Sequence, residues 1–150
     1  MNLYKQINDW FTDEDSGYVP FFNNWLYFNA TPYIVGTVSM NAVAGDRIVR
    51  QDVAGGKVKQ LTLAMDFVYN YDPTGTSDIN IDIMEELENF NVWIEQKNRL
   101  MEFPNFGAYN TVKKIEVLTN VPSMLIDTNQ GLAKYQIQIR FEYNDESEVI

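Results

Sequence analysis

A chain of 150 residues sets an expectation of one domain, and 45% hydrophobic and 14% aromatic residues are ample material for a single core. Eleven Lys and Arg against 21 Asp and Glu leave a net charge of −10, a field that repels duplex DNA and argues against sequence-specific DNA binding. The absence of His and Cys excludes Ser-His-Asp triads, imidazole bases, thiolate nucleophiles and zinc sites built on either residue.

At the start of the chain Leu3, Ile7, Trp10 and Phe11 share one face at helical spacing, with Lys5, Gln6, Asn8 and Asp9 opposite. This predicts a short amphipathic helix. Residues 1–10 lack the basic start and apolar run of a signal peptide, and no stretch approaches the ~18 apolar residues of a membrane span. The expectation is a soluble protein made in a cytoplasm, with no membrane partner. The polar run 12–17, containing Asp13, Glu14 and Asp15 and ending in Gly17, reads as a solvated loop, and Val19-Pro20 predicts extended backbone. Residues 21–28 are dense in aromatics, and Thr31-Pro32 separates them from a second extended run over 33–40. Two strands or one bent strand fit.

From 41 to 57 the chain carries Gly45 near one end and Gly55-Gly56 near the other, with Arg47-Ile48-Val49-Arg50-Gln51-Asp52 between. That pattern predicts a protruding hairpin arm or a mobile loop. Leu61, Leu63, Met65, Phe67 and Tyr69 then alternate with Gln60, Thr62, Ala64, Asp66 and Val68, the period of a strand with one face on a core. Turn-forming residues over 70–77 end it. Ile83, Leu87, Phe90 and Ile94 follow at steps of four, three and four, with Met84 and Trp93 widening the stripe and Glu85, Glu86 and Glu88 opposite. Asp78 or Asp82 near the start, and Lys97 and Arg99 near the end, complement the dipole of this main helix.

Two further strands follow, over 112–118 and from Lys134 to Tyr143. In the second, Tyr135, Ile137, Ile139, Phe141 and Tyr143 alternate with Lys134, Gln136, Gln138, Arg140 and Glu142. Between them Val121-Pro122 interrupts pairing, Met124-Leu125-Ile126 reads as a short strand, and 127–131 as a turn. Residues 144–150 read as a frayed acidic tail. The predicted fold is a single α+β domain over 1–150: a largely antiparallel sheet, two helices on one face, and the arm at 41–57.

Little catalytic chemistry fits this composition. The acidic groups Asp13, Glu14, Asp15 and Glu85, Glu86, Glu88 could supply the two carboxyls of a glycosidase, with aromatics lining a sugar cleft. Their placement in a loop and on the polar face of a helix reads instead as solvated surface. No Ca²⁺-loop pattern is present, since Asp78-Ile79-Asn80-Ile81-Asp82 lacks the central Gly and closing acid, and Gly55-Gly56-Lys57 is not a phosphate loop. No cofactor is implied. Arg47, Arg50, Lys57 and Lys59 gather four of the eleven cations in one glycine-bounded segment. A solvated arm is the plain reading; a positive arm that meets a neighbouring copy's negative body is the sharper one. Nucleic-acid contact ranks third. Trp10, Trp25 and Trp93 are core material or interface anchors.

The helix ending in Trp10-Phe11, the run Asp52-Val53-Ala54-Gly55-Gly56-Lys57 leading into Gln60-Leu61-Thr62-Leu63, and the helix Leu87-Glu88-Asn89-Phe90-Asn91-Val92-Trp93-Ile94-Glu95 form a pattern in this order. With 112–118 and 133–143 it resembles the small minor capsid or tail terminator proteins in the neck of long-tailed phages and prophages of Gram-positive bacteria. The resemblance spans nearly the whole chain and rests on pattern and element order. It implies an α+β fold and a homo-hexameric ring that caps the tail tube, ends its polymerisation and meets the connector or head-completion proteins. DNA would pass through the lumen without specific binding, and the protein would reside in the virion after synthesis in the host cytoplasm. The same resemblance makes the arm, with Arg47, Arg50, Lys57 and Lys59, a subunit or tube interface. The alternatives are another neck or tail-tube component, or a carboxylate-based carbohydrate-active enzyme or glycan-binding module.

Overall fold

The computed structural model describes residues 2–21, 26–30, 34–45, 47–119, 122–127 and 129–149. Among these residues the element order is helix α1 (Leu3–Thr12), a 3₁₀ turn (Val19–Phe21), strands β1 (Tyr27–Phe28), β2 (Val38–Ala42), β3 (Ile48–Gln51) and β4 (Lys57–Asn70), helix α2 (Ile79–Leu100), and strands β5 (Asn110–Val117), β6 (Ser123–Asp127) and β7 (Leu132–Asp145). Seven strands in one mostly antiparallel sheet, with two helices, make an α+β fold.

The two strongest alternations in the sequence become its two central strands. β4 and β7, each 14 residues long, pair antiparallel throughout, from Lys57 opposite Asp145 to Asn70 opposite Leu132. Two shorter strands share each outer edge. On the β4 side β3 pairs with the Lys57 end and β2 with residues 63–67, and β1 adds to β2 in parallel. On the β7 side β5 covers the Asp145 end and β6 the Leu132 end.

This register places Leu61, Leu63, Met65 and Phe67 on the same face as Phe141, Ile139, Ile137 and Tyr135, because opposed residues point the same way. Both helices cover that face: Ile7 and Phe11 from α1, and Ile83, Leu87, Phe90 and Ile94 from α2, belong to the same buried cluster. Aromatic rings fill the layer between. Phe90 lies within 6.0 Å, centroid to centroid, of Phe11, Phe21, Tyr18 and Phe67. Trp10 and Trp93 pack at its border, 4.8 Å apart, and Trp10 Nε1 donates to the Glu102 carbonyl at 3.0 Å. The opposite face presents Gln60, Thr62, Gln136, Gln138, Arg140 and Glu142, all half-buried, but it also buries Ala64, Asp66 and Val68, so residues 63–68 of β4 are covered on both faces rather than one.

Several expectations are corrected. Val19-Pro20 is not extended but enters a 3₁₀ turn closed by Phe21 N–H on the Tyr18 carbonyl at 2.8 Å; proline's fixed φ suits that turn as well as it suits a strand. The aromatic run over 21–28 yields strand only at Tyr27–Phe28, and its residues 22–25, Trp25 included, lie outside the described residues, as do Thr31-Pro32 and Val121. Of the run over 33–40, Tyr33 lies outside the described residues and regular strand begins at Val38, after Gly36 at φ +84° turns the chain, although the Gly36 N–H and Thr37 carbonyl already bond Val68. Met84 faces solvent instead of widening the buried stripe of α2. In β5 a bulge between Val112 and Lys114 lets Val112 and Ile115, three apart, both face the core.

Residues 41–57 do not stand off the molecule as an arm. Ala42 ends β2 against Leu63, Ile48 resumes opposite Lys59, and Gln51 pairs with Lys57 around the turn Asp52-Val53-Ala54-Gly55-Gly56. The segment is an edge of the sheet, broken once and closed by a hairpin turn. The acidic tail covers that turn. β7 runs through Asn144 and Asp145, the Glu146 N–H bonds the Tyr109 carbonyl, and the Glu148 carbonyl lies against Gly55.

Candidate functional site

The four cations at 47–59 lie near one end of the sheet, and two of them pair with the chain's own tail. Lys57 Nζ binds Glu148 Oε2, and Lys59 Nζ binds Asp145 Oδ2 at 2.6 Å. The second pair is well shielded, with the Lys59 and Asp145 side chains 24% and 12% exposed. The hydrogen bond to Asp145 raises the Lys59 ammonium above its usual range. Lys59, then the hydroxyl and N–H of Ser147, hold the Asp145 carboxyl well below the usual carboxylate range. Arg47 Nη1 and Nη2 each donate at 3.3 Å, to the hydroxyls of Tyr143 and Tyr4. Arg50 is left. It lies on the exposed edge of β3 beside a cleft of about 270 Å³, and its side chain has no hydrogen bond or ion pair among the described residues.

β3 is an unpaired edge with all four residues exposed. Ile48 and Val49 are half exposed, and Val53 at the turn is fully exposed. Unpaired backbone groups and β-branched side chains at a sheet edge form a surface that takes another strand or an apolar partner. The opposite edge carries β5 and β6, the latter exposing Met124 and Leu125.

The acidic groups are dispersed. Asp13 Oδ1 accepts from the N–H of Asp15 and Ser16, a local turn that lowers its carboxyl below the usual range. Glu85 and Glu88 are exposed on α2. Glu86 stands at a cavity of about 320 Å³ where α2, the 3₁₀ turn, the start of β2 and the end of β4 meet. Phe21, Phe67 and Val68 are buried there, and Tyr18, Tyr69 and Asn89 complete its rim. Burial, then the charge of Glu86 and a hydrogen bond to it, pushes the Tyr69 hydroxyl far up; burial and the same charge raise Tyr18. Both phenols therefore stay neutral around one carboxylate.

A glycosidase needs two carboxyls about 5–10 Å apart across a cleft. Among the described residues lining this cavity, Glu86 is the one carboxylate. The described residues also contain no cluster of three acidic groups placed to hold a metal ion, and no helix long and apolar enough to cross a membrane. The geometry thus combines an edge strand carrying Arg50, whose side chain has no partner among the described residues, with an aromatic cavity carrying one carboxylate, Glu86, which accepts from the Tyr69 hydroxyl. The Glu86 cavity has no local sequence signal, since Tyr18, Gly36, Tyr69 and Glu86 come from four separate segments. In comparisons with known proteins, no family model and no curated protein sequence matches the chain.

Proposed function

We propose that this chain is a structural protein of the neck of a long-tailed phage, assembling as a hexameric ring that caps the tail tube, ends tube polymerisation and joins the tail to the head. The observation that carries this reading is the sheet with two dissimilar open edges: β3, with Arg50, Ile48 and Val49 exposed, on one side, and β5 with β6 on the other. A surface that differs from its counterpart across the molecule supports head-to-tail association, and repeated head-to-tail contacts close into a ring when the rotation per step divides a full turn. The acidic body suits a lumen through which DNA slides without sticking. The tail tube protein on one face and a head-completion or connector protein on the other would be the partners, and no cofactor enters.

Negative-stain microscopy of the purified chain, together with gold-labelled antibody on virions that carry it, tests this reading. Ring-shaped particles and label at the head-proximal end of the tail are expected. Label along the tube, or elsewhere in the virion, would make the chain another neck or tail-tube component. A chain that neither forms rings nor occurs in virions would overturn both readings. The lone carboxylate at the aromatic cavity gives the carbohydrate-active alternative no support.

A further inference from the structure

We propose that copies of this chain join head to tail by seating Arg50 of one copy in the Glu86 cavity of the next. This deepens the ring reading and rests on it. Two surfaces with matching chemistry lie at opposite ends of β4. Arg50 pairs with Val58 near its start, and the cavity is lined by Phe67, Val68 and Tyr69 near its end. Some ten residues of extended strand, at ~3.3 Å each, keep them about 30 Å apart. One copy therefore cannot satisfy its own pair, and the contact must be between unlike surfaces of two copies.

The cavity suits a guanidinium on an aliphatic stem. Phe21 and Phe67 give the methylenes an apolar floor. Glu86 offers the planar fork a carboxylate, and Tyr18 and Tyr69 line the cavity beside it. Among the described residues no cation pairs with Glu86. Lys57 and Lys59 are committed to the tail, and Arg47 to two tyrosine hydroxyls, which leaves Arg50 as the available cation of the hairpin. The surroundings match as well. Exposed Ile48, Val49 and Val53 flank Arg50, and exposed Ile34 and Val35 precede the Gly36 and Thr37 that line the cavity.

Light scattering and sedimentation on wild type, Arg50→Glu, Glu86→Arg and the double exchange test the contact, with Arg99→Glu as a control of equal charge change on an exposed face of α2. Each single exchange should weaken association at least ~10-fold, the double exchange should restore it, and the control should leave it unchanged. The exchanged residues are exposed, so circular dichroism should show the fold intact. Oligomers that persist in both single variants, or single losses that the double exchange does not restore, would overturn this contact while leaving the ring reading in place. A wild-type chain that stays monomeric at every concentration would overturn both.

Discussion

Replacing Asp145 by Ala tests whether the hairpin is held down by the chain's own tail. Its carboxylate accepts from Lys59 Nζ at 2.6 Å, Ser147 N–H at 2.9 Å and Ser147 Oγ at 2.6 Å. A hydrogen bond to a charged group contributes about 1.5–3 kcal/mol. Because Lys59 is 24% exposed, water recovers part of what it loses, and the net cost should be about 2 kcal/mol. With a urea m-value of about 2 kcal/mol/M, the midpoint should fall by about 1 M. Glu148→Ala is the control, since that carboxylate is 66% exposed and a surface pair of this kind contributes about 0–1 kcal/mol. Its midpoint should move by less than about 0.5 M. Equal shifts for the two variants would refute the cis clamp. The pH dependence has a definite sign. The Asp145 carboxyl is depressed in the folded state, so its contribution is full above the unfolded value of ~3.9 and is lost as pH falls toward the folded one. The Lys59 ammonium is raised, so its contribution is full below ~10.4 and is lost as pH rises through the folded value. The stability gap between wild type and Asp145→Ala should be flat between about pH 5 and 9 and narrow on both sides.

Phe90→Ala removes a fully buried ring in contact with four others and should cost about 3–5 kcal/mol, lowering Tm by on the order of 10 °C in calorimetry. Asn2 caps α1 by accepting from the N–H of Tyr4 at 3.0 Å and of Lys5 at 3.2 Å; Asn2→Ala should cost about 1 kcal/mol, read as faster amide exchange at those two positions. Gly55, at φ +95° with the Glu148 carbonyl where a Cβ would sit, should tolerate alanine far worse than Gly75, at φ +66° with open space around it. Gly55→Ala should lose more than about 1 kcal/mol in urea unfolding and Gly75→Ala no more than about that.

The parts of the fold legible in the sequence are those set by local period. Alternation from Gln60 to Tyr69 and from Lys134 to Tyr143 marks β4 and β7, and the four-three-four spacing of Ile83, Leu87, Phe90 and Ile94 marks α2. Features set by long-range pairing were not legible. Gly45 and Gly55-Gly56 bound a segment that reads as a protruding hairpin; the pairs Ile48–Lys59 and Gln51–Lys57 are local, but nothing local shows that the Lys57 end also pairs with Asp145 of β7. The cations at 47–59 read as a solvated arm or a patch for a neighbouring copy, yet two of them meet carboxylates 86 and 91 residues later. Hydrophobic periodicity records which face of a strand is buried and carries no record of which charge lies opposite. For the same reason Glu86 looks like any other acid on the polar face of α2, and only its approach to Tyr18 and Tyr69 sets it apart from Glu85 and Glu88.

The cis clamp also bears on how assembly would proceed. A free arm that ordered only on meeting a neighbour would set its conformational entropy against the contact, at about 1–2 kcal/mol per residue fixed. Here β3 is already paired with β4, and β4 is locked to β7 along its whole length, with Lys59 and Asp145 closing the end. Arg50 therefore projects from a backbone whose ordering is already met within the monomer, as preorganised binding surfaces require. The cavity is likewise framed by fixed elements: Phe67, Val68 and Tyr69 sit on the same central strand, and Glu86 and Asn89 lie one helical turn apart on α2. Cation and carboxylate are thus set at opposite ends of one rigid strand pair. Each copy then passes the same displacement and rotation to the next, and a constant step is what allows a chain of head-to-tail contacts to close on itself rather than branch or stop.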